Sequence, residues 1–165
     1  MYLKQKDIFR AMNTAFVKRI MNVSTTESFE KKDILFQQRD LTNHFYILLK
    51  GHVKLTLGET GQSVYIVSHA GEAFGWSSLI DREIYTASAV CMAPVKLLRF
   101  DRDKILKILE EDPANGLVFF KRLAGILGNR LLQSYEMIST ALQTEESRSF
   151  GTGQLMDKTV SELEI

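Results

Sequence analysis

Apolar residues recur along this chain with two different periods, and the switches between them divide it into three parts. Over residues 8–21, Ile8, Met12, Phe16 and Ile20 stand four apart, with Phe9 and Ala15 widening the stripe. This spacing predicts a helix that is apolar on one side and covers something. Over 23–100 the pattern changes to short segments rich in β-branched and aromatic residues, broken by glycine and polar clusters. Val53, Leu55 and Leu57 alternate with His52, Lys54 and Thr56, the period of a strand with one wet face. Gly58-Glu59-Thr60-Gly61 is a tight turn, and Val64-Tyr65-Ile66-Val67 reads as the returning strand. Further strands are predicted at Ile34–Phe36, His44–Lys50, 84–91 and 95–100, with Ala93-Pro94 turning between the last two. Many short antiparallel strands at this spacing predict a barrel or roll rather than an open sheet.

After Phe100 the helical period returns. Asp101 is placed to cap a short helix carrying Ile105, Leu106, Ile108 and Leu109, and Asp112-Pro113 gives a second helix start. In the helix that follows, Leu117, Phe120, Ala124, Leu127, Leu131, Ser134, Ile138 and Ala141 are spaced alternately three and four apart, a heptad seam. Phe119, Leu123 and Ile126 form a second apolar set beside it. One helix with two apolar faces implies docking on its own roll through one face and on a second copy through the other. Gly116, Gly125 and Gly128 weaken this helix by up to ~1 kcal/mol each, while permitting close approach. The expected organisation is a domain over 1–143, with the roll over about 23–100 and the long helix over about 113–143, then a flexible tail or linker over 144–165.

Composition narrows the function classes. With 165 residues the chain can bury a core without disulfides or metals. Its 21 basic and 20 acidic residues leave a net charge of +1, so no global field favours nucleic acid or a membrane. The single cysteine, Cys91, falls in a predicted strand, reads as a small buried apolar residue and fits a reducing, cytoplasmic compartment. The charged N-terminus does not resemble a signal peptide, and no apolar run is long enough to span a bilayer. His44, His52 and His69 are dispersed without metal-ligand spacing, and neither a nucleophile elbow nor a Walker-type loop is present. Glu72, Asp81 and Glu83 bracket a turn but read as solvated carboxylates. No enzyme, metal or cofactor is expected.

The chemistry concentrates between 71 and 89. Gly71-Glu72-Ala73-Phe74-Gly75-Trp76-Ser77-Ser78-Leu79-Ile80, followed by Ile84-Tyr85-Thr86-Ala87-Ser88-Ala89, reads as turn, short apolar helix and strand. That order makes a cradle in which backbone N–H groups could meet an anion. Together with Ile34-Leu35-Phe36, with His44 through Val53 around Gly51, and with the flanking helices in this order, it resembles the cyclic nucleotide-binding domain, the sensor module of catabolite activator proteins and cyclic-nucleotide-regulated kinases and channels. The resemblance covers about 29–138. It implies a β-roll of the jelly-roll type (a double-stranded β-helix) with an N-terminal helix and a long C-terminal dimerisation helix, and cyclic AMP or cyclic GMP as the usual ligand.

Two positions depart from the family pattern. Where the family usually places a glutamate for the ribose hydroxyl stands Trp76, which has one donor and no acceptor. Where it places an arginine for the cyclic phosphate stands Tyr85, a neutral phenol. Arg39 stands where the family has a turn glycine. The remaining candidate ligand contacts are Phe74, Gly75, the amides of Trp76, Ser77 and Ser78, the hydroxyls of Ser77, Ser78 and Thr86, Arg82 as a substitute charge, and Ser134 as the base-contacting residue of the helix. Trp76 and Tyr85 either stack on a planar ligand or fill the cavity themselves. Arg82 either swings in or stays solvated; Ser134 either makes a polar contact or is a tolerated small residue in the seam. The expected function is therefore a sensor of a cyclic nucleotide or other small anion, homodimeric through Leu117, Phe120, Ala124, Leu127, Leu131 and Ile138 and read by a protein partner. The alternatives are a ligand-free scaffold acting by protein interaction, or the sensor fragment of a longer transcription regulator that binds DNA through an additional domain.

Overall fold

A computed structural model describes residues 8–141, 148–149 and 155–156, so most of the tail expected over 144–165 lies outside the described residues. The chain falls into two compact units, Met1–Ala124 and Gly125–Ile165. The first opens with α1 (Thr14–Asn22) and continues through β1 (Ser24–Phe29), β2 (Ile34–Phe36), β3 (His44–Lys50), β4 (Val53–Leu57), β5 (Gln62–Val67) and β6 (Ala73–Phe74). A 3-10 turn (Trp76–Leu79) leads to β7 (Ser88–Cys91) and β8 (Val95–Asp101), then α2 (Arg102–Glu111) and α3 (Pro113–Ala141), which continues into the second unit. There β9 (Arg148–Ser149) pairs antiparallel with β10 (Leu155–Met156).

Eight strands form two four-stranded antiparallel sheets, ordered β1-β8-β3-β6 and β2-β7-β4-β5, which is the predicted roll. Between them lies a core containing Phe36, Tyr46, Leu48, Val53, Val67, Phe74, Tyr85, Ala89, Cys91, Val95 and Leu97. The alternate residues of β3 and β8, Phe45, Ile47, Leu98 and Phe100, are buried as well. A strand side chain alternates between faces, so these two strands are covered on both sides. Phe45 packs on Phe100 and on Phe119 of α3, with ring centroids 5.8 and 6.1 Å apart. Phe119 and Leu123, the set beside the seam, are 0 % and 2 % exposed, as a helix docked on its own roll requires.

Two expectations are corrected, and one strand is found that the sequence does not announce. The N-terminal helix begins at Thr14 rather than near Ile8, because Ala11 lies in the left-handed region at φ 67° and Asn13 caps the helix by accepting from the Ala15 N–H at 2.7 Å. Ile8 and Phe9 are nevertheless buried, so the apolar stripe was sound where the helix was not. The strand expected over 84–91 is regular only at Ser88–Cys91; before it, a bridge from Ile84 to Leu41 holds the chain in a loop. Strand β1 has no apolar alternation to reveal it, since its sequence is STTESF, and it is formed by its pairing with β8.

The helix caps follow the sequence. Asp101 accepts from the Lys104 N–H at 3.1 Å, and Asp112 accepts from the Asn115 N–H at 3.1 Å and from its side-chain amide at 2.8 Å.

Candidate functional site

The β6 strand delivers Phe74 into the core and ends at Gly75, whose φ of 72° turns the chain into the 3-10 segment. A Cβ at Gly75 would come within 2.8 Å of the Tyr46 ring, so glycine is required there both by space and by backbone. Gly75, Trp76 and Ser77 then line one cavity together with Tyr85, Thr86, Ala87, Phe36 and Leu55. Five of the residues expected from sequence thus share one cavity; Phe36, Leu55 and Ala87 were not anticipated as its lining. Alternation would have put Phe36 on the outer face with Ile34; the register irregularity between the two turns it inward, and no sequence pattern announces that.

The remaining expected residues lie elsewhere. Phe74 is fully buried beneath the site. The Ser78 hydroxyl donates to the Gly75 carbonyl at 2.9 Å and its N–H to the same oxygen at 3.2 Å, so both donors expected to meet an anion are turned inward. Arg82 is on an exposed loop whose carbonyl accepts from the buried Thr42 hydroxyl. Ser134, in the second unit, donates from its hydroxyl to the Arg130 carbonyl at 3.0 Å, a bond within the helix.

Tyr85 decides the character of the cavity. Its ring stacks on Phe36 at 3.9 Å and 15°, in line with a further stack of Phe36, Tyr46 and Phe74. Its hydroxyl donates to the His44 carbonyl at 2.6 Å and accepts from the His44 N–H at 3.0 Å. One phenol therefore satisfies both backbone groups of a strand residue beyond the end of the short β3–β6 pairing. Burial pushes the Tyr85 pKa up, outweighing the hydrogen bonds that lower it, so the hydroxyl stays protonated and able to donate at neutral pH. The Tyr85 ring is buried against the roll, and the space left beside it is about 30 Å³, room for water rather than a nucleotide. Trp76 is half-buried at its edge and Thr86 exposed.

On the α3 seam, Leu117, Phe120 and Leu131 are 57 %, 36 % and 45 % exposed, Ala124 is exposed, and Leu127 and Ile138 are half-buried. Among the described residues no cluster of three metal-ligating side chains occurs, and no helix is long and apolar enough to cross a membrane.

Two antiparallel sheets closed into a roll, a glycine-led turn after β6 and a helix packed on the roll make up the architecture of the cyclic nucleotide-binding domain. The chain belongs to that family: the family profile of the cyclic nucleotide-binding domain matches residues 26–112. It is 28% identical over 138 residues to the global nitrogen regulator of Nostoc sp., covering 81% of this chain and 58% of that protein. It is 25% identical over 112 residues to the cGMP-dependent protein kinase egl-4 of Caenorhabditis elegans, covering 66% of this chain but 14% of the kinase. The chain thus spans little more than half of one relative and a small part of the other. A cyclic nucleotide-binding domain from Methylobacillus flagellatus shares its fold with a TM-score of 0.72 at 23% identity, covering 84% of this chain and 78% of that one. The catabolite activator protein of Thermus thermophilus does so with a TM-score of 0.65 at 23% identity, covering 81% and 62%.

Proposed function

We propose that this chain is a regulatory, non-catalytic module that works by protein contact, with its cassette closed by its own aromatic side chains. It pairs with a second copy along the α3 seam, and the paired helices are read by a protein partner. The observation that carries this reading is Tyr85, whose ring fills the cassette and whose hydroxyl is committed to His44 on both sides. A ligand would have to displace that ring, break two hydrogen bonds and widen a cavity of about 30 Å³ to the ~300–1,000 Å³ of ordinary small-molecule sites. The relatives' names, a regulator and a regulated kinase, support a regulatory rather than catalytic role.

The test is thermal unfolding with cyclic AMP, cyclic GMP and cyclic dinucleotides at millimolar concentration, beside sedimentation of the same sample. The expected result is a dimer whose unfolding temperature ignores every nucleotide. A saturable rise of several degrees with one of them overturns this reading and restores the sensor. A second reading is favoured by the cavity itself: bounded by Trp76, Ser77 and Thr86, it suits an occupant far smaller than a nucleotide, such as a small anion. Chloride and formate belong in the same panel for that reason.

A further inference from the structure

The sheet of β2, β7, β4 and β5 carries a second, larger hollow on the face turned away from the core. Alternation along β7 sends Ala89 and Cys91 inward and leaves Ser88 and Val90 outside, while a register irregularity between Ile34 and Phe36 leaves Ile34 outside and turns Phe36 into the core, with Ile34 opposite Val90 and Thr56 opposite Ser88. Residues 37–39 and the 58–61 turn rise on either side of this floor, and the groove between them has a volume of about 490 Å³. Gln38 braces the walls: its N–H donates to Ser88 Oγ at 2.8 Å, and its side-chain carbonyl accepts from the Gly58 N–H at 3.0 Å.

Two opposite charges line this groove, Arg39 and Glu59. Among the described residues neither forms an ion pair, with the other or with a third residue. Arg39 also stands at φ 77°, a backbone conformation that suits glycine and strains a longer side chain. A groove lined by one unpaired guanidinium and one unpaired carboxylate, with Ile34 and Val90 beside Ser88 and Thr56 on its floor, is suited to a molecule carrying both charges.

We propose that this groove binds a small zwitterion with an apolar body, of the α-amino-acid type. Its carboxylate pairs with Arg39, its ammonium with Glu59, and its apolar body rests on Ile34 and Val90. The site is tied to the cassette. The Arg39 N–H donates to the Tyr85 carbonyl at 2.9 Å, and the Tyr85 N–H donates to the Asp40 carbonyl at 2.9 Å. A ligand that draws on Arg39 therefore acts on the segment that holds the closing ring, whether or not the cassette takes a nucleotide.

The experiment is a titration of the ¹⁵N-labelled full chain with L-leucine, N-acetyl-L-leucine and L-leucinamide, followed by amide chemical shifts. Saturable shifts with leucine are expected at 37–40, 58–61, 85 and 88–90, and the two blocked compounds are expected to bind at least about tenfold more weakly, the loss of one ionic contact. Arg39→Gly removes the guanidinium and places glycine where the backbone favours it. This variant is expected to unfold at a higher temperature and to lose the leucine response, a combination that a purely structural arginine would not give. Glu59→Gln is expected to erase the preference for leucine over its N-acetyl form. No saturable shift, shifts confined to other residues, an equal response to all three compounds, or a native response from Arg39→Gly would each overturn the proposal.

Discussion

Tyr85 shows how much a single hydroxyl can commit. Tyr85→Phe keeps the ring stack on Phe36 but leaves the His44 N–H and carbonyl without their partner, which costs about 1–3 kcal/mol for buried groups. Urea unfolding should show this loss as a lower midpoint with an unchanged slope. That Tyr85 and Trp76 break the family pattern was legible in the sequence, because both stand where charged side chains are expected. Where the phenol goes was not legible, since its partner lies 41 residues away and is a backbone, which no side-chain pattern announces. Arg39 was legible in the same limited way: the sequence placed an arginine at a turn glycine, and only the backbone angle shows that the turn kept its left-handed form.

At the scale of the helices, the glycines of α3 are not equivalent. A Cβ at Gly116 would overlap the Leu109 carbonyl oxygen, whereas one at Gly128 would meet nothing within 4 Å. Gly116→Ala should therefore destabilise by forcing α2 and α3 apart, although alanine is the better helix former. Gly128→Ala should stabilise by up to ~1 kcal/mol; paired denaturant curves would show the opposite signs. The seam has its own check. Leu127→Asp with Leu131→Asp should halve the sedimentation mass of a dimer and leave the circular dichroism of the roll intact. The heptad spacing separated the two faces of this helix correctly over 117–124, with Phe119 and Leu123 docked and Leu117 and Phe120 exposed. Periodicity failed where a local feature outranked it. The Asn13 cap and the Ala11 turn shortened α1, and β1 exists through pairing rather than through pattern.

For the molecule as a whole, several titrating groups together set a pH window. Burial holds the His44 pKa below its ordinary 6.5, so the unfolded chain takes up that proton first and stability falls as pH drops below about 6.5. Asp112, held below its ordinary 3.8 by its hydrogen bonds to Asn115, adds a further loss as pH falls below that value. At the other end, burial pushes the Cys91 thiol from 9.0 up to about 11, so the unfolded chain ionises first and stability falls as pH rises above 9.0. Stability measured by urea unfolding should therefore be flat between about 6.5 and 9.0 and decline on both sides. A Cys91→Ala variant should lose the decline that begins at pH 9.0, keeping the acid decline and the one above 10.0 that the raised pKa values of Tyr46 and Tyr85 cause.

The closed cassette has a consequence for how such a module could carry information. A diffusible messenger rises and falls, and a domain that waits for it reports that change as fractional occupancy. Tyr85 is attached to the chain, so its local concentration is fixed and the cassette is filled in every copy from the moment it folds. A module of this kind has no threshold and no dose response at that position. On the closed-cassette reading proposed above, its output at that position follows the number of copies present instead of the concentration of a nucleotide.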